Sequence, residues 1–346
     1  LIELNIFEEL ASRVIRKTEL LVAVSNAISE LDFYTSLSFL SIKLNWTKPT
    51  VDNSKNFQIK GGRHPVVESA LKTTGSDNFI SNDCDLSKKP NSILLVTGPN
   101  MAGKSTFLRQ NALITILAQI GSNVPADFAH IGVVDQVFSR VGSSDDLSKG
   151  QSTFMVEMIE TASILKNATK SALIIMDEVG RGTATYDGLS LAWAILEHIH
   201  NVKECRTIFA THYHELTQLE KGFPYMKNAK VAIREWKDEV IFLHEVQFGR
   251  ADKSYGIQVA KLAGLPSNVI SRAEILLAKL EENENKIDTK NFSMSDPEKT
   301  LKEIRIEKGL TLIELLSSIN TDDITPREAF NLLDKISSDL KTLKYN

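Results

Sequence analysis

Cysteine is nearly absent from this chain: Cys84 and Cys205, far apart in the sequence, offer neither a disulfide framework nor a CxxC metal pair, the usage expected of a reducing compartment. Long hydrophobic runs are missing too. No apolar stretch approaches the roughly 20 residues of a spanning helix. The N-terminus also lacks the basic region, apolar core and small-residue cleavage site of a secretory leader. These absences argue against secretion and against a membrane span, and make the cytoplasm the expected location. Neither sign of charge dominates: 40 Lys and Arg stand against 44 Asp and Glu, a formal net charge of -4. There is thus no global pull toward nucleic acid, and any DNA contact must come from a local patch or from parts outside this sequence. The chain begins at Leu1 rather than Met, which suggests a fragment, and it carries no internal repeat. What is present is ordinary globular composition, 346 residues with 42% hydrophobic and 24% charged, enough for one large domain with appendages.

The first 40 residues place apolar side chains at helical spacing (Leu4, Phe7, Leu10, Ala11 and Val14, then Leu20, Leu21, Val24, Ala27, Ile28 and Leu31) without Gly or Pro, and predict long helix. Over residues 46–62 the character changes, with Pro49, Asp52, Asn53 and Gly61-Gly62 marking turns around short strands. An apolar run at residues 93–96 leads into a glycine-rich turn and then an amphipathic helix over residues 104–120, the opening step of an α/β domain. Buried strands are expected at residues 172–176 and 207–210. Each ends in polar residues, where ligands sit at the carboxyl edge of a parallel sheet. After Phe242 the pattern turns helical, with helices over 257–262 and 268–280 around Gly264-Leu265-Pro266. Residues 281–297 are polar and aperiodic and read as a flexible linker. A last helical pair, 301–319 and 326–343, follows, the second opened by Thr325-Pro326.

Gly98-Pro99-Asn100-Met101-Ala102-Gly103-Lys104-Ser105 fits GxxxxGK[ST] and lies between an expected strand and an expected helix, the context that makes the pattern a P-loop rather than a chance turn. Its backbone N–H groups and the helix N-terminus can cradle phosphates. Lys104 is expected to reach the β- and γ-phosphates of ATP and Ser105 to ligand Mg²⁺. Asp177-Glu178 ends an apolar strand, and two acids there are costly unless a cation or partner compensates them. Asp177 is the natural Mg²⁺ partner and Glu178 the group to orient and polarise the attacking water. The bland alternative, an ordinary strand-end acid pair, weakens once the P-loop is present. His212, at the end of the next strand, suits a sensor of the γ-phosphate. His212 with His214 lacks further ligands at a metal spacing, and His214 reads as a surface histidine. The loop Ser144-Asp145-Asp146-Leu147-Ser148-Lys149-Gly150-Gln151-Ser152-Thr153-Phe154 enters a helix with Phe154, Met158, Ala162 and Leu165 on one face. From these residues alone a plainly capped core helix is the stronger reading, a second anion site the weaker.

GPNMAGKST (which includes Thr106), SDDLSKGQSTFMVEM, MDEVGRGTATYDGLSLAW and ATHYHEL, in this order and spacing, resemble the ATPase domain of the MutS family. The likeness runs from about residue 62 through the helix pair after residue 255 and fades toward both ends. It implies an α/β fold, a P-loop NTPase of ATP-binding-cassette type. By the resemblance Ser152 is the signature serine that reaches the ATP of a partner subunit, Asn100 a further phosphate-side contact and His212 the switch histidine. Phe79 and His244 match the positions that hold adenine; aromatic stacking gives a physical reason, though either residue could equally belong to a core. The implied organisation is the end of lever helices (1–45), the ATPase domain (46–250), a helix-turn-helix for subunit contact (251–280), a linker (281–300) and a helical oligomerisation module (301–346). The second helix of the pair has no Arg or Lys cluster that would favour DNA reading.

Two departures from the family stand out. Ala102 replaces a loop glycine, tolerable while φ stays negative. The mismatch-reading front is missing, and Phe7-Glu8-Glu9 lies in a helical stripe expected to be lever core. The implied function is ATP binding and hydrolysis at sites shared within a homodimer or larger homo-oligomer, coupled to clamp movement on DNA. Mismatched double-stranded DNA, held through absent domains, and a MutL-type protein are the implied partners. The alternatives are a junction-binding recombination paralogue and a catalytically inactive dimerisation scaffold.

Overall fold

The computed structural model describes residues 1–75, 78–87, 92–99, 102–142, 152–236, 239–250 and 255–284. Two compact units divide the chain, Leu1–Ala273 and Glu274–Asn346. The linker expected at 281–300 falls outside the description except at its start, and the final helical pair falls outside it entirely.

Two helices open the chain, α1 (Ile2–Ile15) and α2 (Thr18–Leu44). The long helix expected over this stretch is interrupted at Arg16 and Lys17, where the Lys17 backbone (φ -109°, ψ 8°) leaves helical geometry. Neither helix is packed into a core: α1 has no buried residue and α2 only Ser41. Phe7 is 68% exposed, so its expected core role is not met within this chain. Next come β1 (Thr50–Asp52), β2 (Phe57–Gly62), α3 (Pro65–Thr74) and β3 (Asn82–Asp85). The α/β portion follows as β4 (Ile93–Thr97), α4 (Lys104–Gln119), β5 (Phe128–Gly132), β6 (Val137–Arg140), α5 (Thr153–Asn167), β7 (Leu173–Asp177), α6 (Thr185–His198) and β8 (Arg206–Thr211). It ends with a hairpin of β9 (Met226–Trp236) and β10 (Glu239–Phe248), then α7 (Gly256–Leu262) and α8 (Ser267–Glu284). The last helix was expected to stop at residue 280; it continues because Glu281, Glu282, Asn283 and Glu284 contain no helix breaker.

The larger sheet has six strands in the order β10-β9-β4-β8-β7-β6. Its strands run parallel from β9 through β6, and β10 pairs antiparallel with β9. Both faces are covered, which is why the strands read as unbroken apolar runs rather than alternating ones. Leu94, Val96, Leu173, Ile175, Ile208 and Ala210 join one core with α4 and the smaller sheet (β1-β5-β2-β3). Ile93, Leu95, Ile174, Met176 and Phe209 join a second with α5 and α6.

The α4 helix departs from its amphipathic expectation. Gln110, Asn111 and Thr115 are buried together with Phe107, Leu108 and Ile114, because a helix between two sheets is surrounded on most sides. In α5 the inward face is Glu157, Thr161 and Ile164. The expected stripe of Phe154, Met158, Ala162 and Leu165 is half-buried at best, and Ala162 is exposed.

Candidate active site

Because β4, β8 and β7 are neighbours, with Thr97 opposite Thr211 and Asp177 opposite Ala210, the loops at their carboxyl ends share one edge of the sheet. Three motifs distant in sequence are thereby brought together: the P-loop after β4, Asp177-Glu178 at the end of β7, and His212 after β8. A cleft of about 370 Å³ opens there, lined by Pro99, Gly103, Lys104, Ser105, Thr106, Glu178 and Arg181.

Gly98 (φ 142°) and Gly103 (φ 107°) take backbone conformations that a side chain would disfavour. Ala102 is fully buried and is not among the described residues with positive φ, so the substitution of the family's glycine is accommodated. Asn100 and Met101, the other two expected loop contacts, lie outside the described residues. Lys104, 4% exposed at the start of α4, donates to the Gly98 carbonyl (2.5 Å) and stands 3.4 Å from Glu178 Oε1. Burial lowers its ammonium below the ordinary lysine range, and the Glu178 charge pulls it back up. Ser105 donates its hydroxyl to Asp177 Oδ2 (2.5 Å). The other oxygen, Asp177 Oδ1, is buried with no hydrogen-bond partner among the described residues, and burial raises the Asp177 carboxyl. A hydroxyl beside a carboxylate with an orphaned oxygen suits a hard divalent cation that takes its remaining ligands from phosphate and water. The residues present therefore fit Mg²⁺.

Glu178 has φ +53°, a left-handed conformation costing on the order of 1 kcal/mol or more for a non-glycine residue. Its amide donates to Ala210 O (2.9 Å). Its carboxylate is held by Lys104 on one oxygen and by Arg181 Nη1 (2.7 Å) on the other. Arg181 lies in the stretch MDEVGRGTATYDGLSLAW, whose sequence pattern assigns it no role. His212 is exposed by area yet close enough to feel Glu178, Arg181 and Lys104. Its imidazole is lowered by desolvation against the raising influence of Glu178, which favours the neutral ring. His214 opens a short helical segment, His214–Lys221, and is half-buried.

Of the two expected base-holding residues, His244 contacts the P-loop. His244 sits at φ +54° in a bulge of β10, between Phe242 and Val246. Its Nδ1 is 3.0 Å from the Ala102 carbonyl, and a Cβ on Gly103 would come within 3.3 Å of the same nitrogen. Asn82 fixes this bulge: its amide donates to His244 O (2.9 Å) and accepts the Val246 N–H (2.6 Å). Nothing in the sequence pattern signalled that role, because the two segments meet only through the fold. Phe79 is half-buried on the segment leading to β3. Ser152 is not among the described residues that line the cleft. It is exposed and caps α5, accepting the Met155 N–H (3.2 Å), and the loop before it, 143–151, lies outside the described residues.

Residues 94–281 match the family model for MutS domain V. The chain belongs to the MutS family. It is 53% identical over 344 residues to the DNA mismatch repair protein MutS of Ruegeria pomeroyi, an alignment spanning 97% of this chain and 39% of that relative. Against the proteins of the same name from Rhodopseudomonas palustris and Rhizobium meliloti the identities are 54% and 51%, over 96% and 98% of the chain and 38% of each relative. The chain thus spans less than two fifths of the length of the MutS relatives it matches. No helix among the described residues is long and apolar enough to cross a membrane.

Proposed function

We propose that this chain binds and hydrolyses Mg²⁺-ATP as the ATPase part of a MutS-type mismatch-repair protein. The observation that carries the reading is the convergence of Lys104, Ser105, Asp177 and Glu178 on one cleft beside a glycine-bearing helix start. Backbone N–H groups of the P-loop and the α4 N-terminus receive the phosphates, and Lys104 neutralises the β- and γ-phosphate charge. A divalent cation bound at Ser105 and Asp177 would offset the charge that develops on the transferring phosphoryl group. Glu178, fixed by its backbone and by Arg181, orients the attacking water, and neutral His212 can hydrogen-bond it or the γ-phosphate from the next strand. His244 and Phe79 hold adenine by stacking.

The site takes the cassette form, in which Ser152 closes on the nucleotide of a second subunit; its exposure at a helix start, outside the lining of its own cleft, supports this. Nucleotide state is then coupled to movement on mismatched double-stranded DNA, through portions of the relatives that this chain does not span. A MutL-type protein is the partner in repair, and α7 with α8 forms the helix-turn-helix subunit contact.

Thermal melts test the reading. Saturating Mg²⁺-ATP at about 100 times its Kd is expected to add about 2.7 kcal/mol of stability, and Lys104→Ala to abolish the gain. Glu178→Gln, which keeps shape and loses charge, is expected to keep the melting shift and lose hydrolysis. No shift in the parent chain, or unchanged turnover in Glu178→Gln, would contradict it.

A further inference from the structure

The turn that presents Glu178 is gripped from two sides at one residue, Gly180. Glu157, on α5 and 7% exposed, accepts the Gly180 N–H at Oε1 (2.6 Å). Tyr213, just beyond β8 and 4% exposed, donates its hydroxyl to the Gly180 carbonyl (3.0 Å). Gly180 has φ +88° and lies so close to α6 that a Cβ on it would come within 2.6 Å of the Gly188 carbonyl. The turn cannot relax toward α6, and its two polar groups are both engaged.

A carboxylate is a costly choice for the inner face of α5. Taking an ion out of water is costly unless it is paired and hydrogen-bonded, and an apolar side chain would fill the same space without that cost. Arg140 lies 3.8 Å from Glu157 Oε2 and compensates part of the charge, while its Nε stands 3.0 Å from Glu160. The remaining oxygen of Glu157 is spent on the backbone of the Glu178 turn. The helix that carries Glu157 begins at Ser152, and the residue preceding Tyr213 is His212. Gly180 is therefore the point where the Ser152 helix, the His212 segment and the Glu178 turn are joined by hydrogen bonds.

We propose that Glu157 is a positioning residue for hydrolysis, setting the Glu178 carboxylate according to the placement of α5, with Tyr213 as the opposing clamp. The inference rests on the reading of Glu178 as the group that orients water. Neither residue lines the cleft, so loss of either displaces Glu178 and leaves the phosphate-binding groups in place. Misplacement of a reacting group by about 1 Å costs up to about 100-fold in rate.

Steady-state ATP hydrolysis and Mg²⁺-ATP melting shifts of the full chain test it, with Glu157→Ala, Glu157→Gln and Tyr213→Phe. The expected result for Glu157→Ala is a kcat about 10- to 100-fold lower with KM and the melting shift unchanged. Glu157→Gln, which retains an oxygen for the Gly180 N–H, is expected to recover most of the loss. Wild-type kcat in Glu157→Ala, a rise in KM with loss of the melting shift, or a Gln variant no better than Ala would each overturn the proposal. If Glu157→Ala does not fold, Tyr213→Phe decides: a lower kcat at unchanged KM supports the clamp, and an unchanged kcat overturns it. Wild-type chain whose hydrolysis does not depend on Glu178 would sink the underlying reading, and this inference with it, before any Glu157 variant is compared.

Discussion

Asp177 ends β7 with one oxygen on the Ser105 hydroxyl and the other buried without a hydrogen-bond partner among the described residues. Burial raises its folded-state carboxyl above the ordinary 3.8. A carboxyl raised in this way gives stability that is fully present below its unfolded pKa and is lost as pH rises through the folded value. At neutral pH without a cation, then, the ionised Asp177 weighs against folding. Asp177→Asn is expected to melt at or above the wild-type temperature at neutral pH, and the difference is expected to shrink as pH falls below the folded pKa and to vanish below the unfolded value of 3.8. The same variant is expected to lose the Mg²⁺-dependent part of the ATP shift. A variant that melts well below wild type at neutral pH without cation would contradict this account of the site's electrostatics.

Residues of this kind were legible in the sequence because their chemistry is strictly spaced: Lys104 and Ser105 by the P-loop frame, Asp177 and Glu178 by an apolar run ending in two acids. Glu157 was not, since helical periodicity assigns a Glu to the solvent face and nothing in one chain says that a turn 23 residues later will donate to it. Asn82 escaped for the same reason, its partners lying 162 and 164 residues away.

At the scale of elements, the parallel strands β4, β7 and β8 were readable from their apolar runs, and α4 from the helix that must follow a P-loop, whereas the short edge strand β6 was not. The β9–β10 hairpin was missed, although Val231 and Ile233 alternate with polar or small neighbours in a way that suits a strand. Its bulge at His244 depends on Asn82 from another sheet, so its position could not be read locally. Helix α6 and the Glu178 turn are in close backbone contact. A Cβ on Gly188 would come within 2.2 Å of both the Gly180 carbonyl and the Tyr213 hydroxyl, which forces backbone to move. Gly188→Ala is expected to cost about 1–3 kcal/mol as an overpacking change and to reduce turnover while Mg²⁺-ATP still raises the melting temperature. Denaturant unfolding with paired turnover measurements checks this; wild-type values in both would show that the two elements separate without consequence.

At the scale of the whole molecule, the chain spans 39% of the length of its Ruegeria pomeroyi relative. Its two opening helices present Leu4, Phe7, Leu10, Ile28 and Leu31 to solvent, a surface that sequence periodicity identified as apolar but could not pair with anything. The central claim at this scale is that each active site is completed by two copies, Lys104 from one and Ser152 from the other. Subunit mixing tests it most directly. Lys104→Ala and Ser152→Ala preparations are each expected to be inactive, because every site in either homodimer lacks one of the two groups. In a mixed dimer one site combines both lesions, while the other combines an intact Lys104 with an intact Ser152. Hydrolysis is therefore expected to return in part on mixing. If exchange is verified by tag pull-down and no activity returns, Ser152 acts only as the cap of its own helix and the shared site is contradicted.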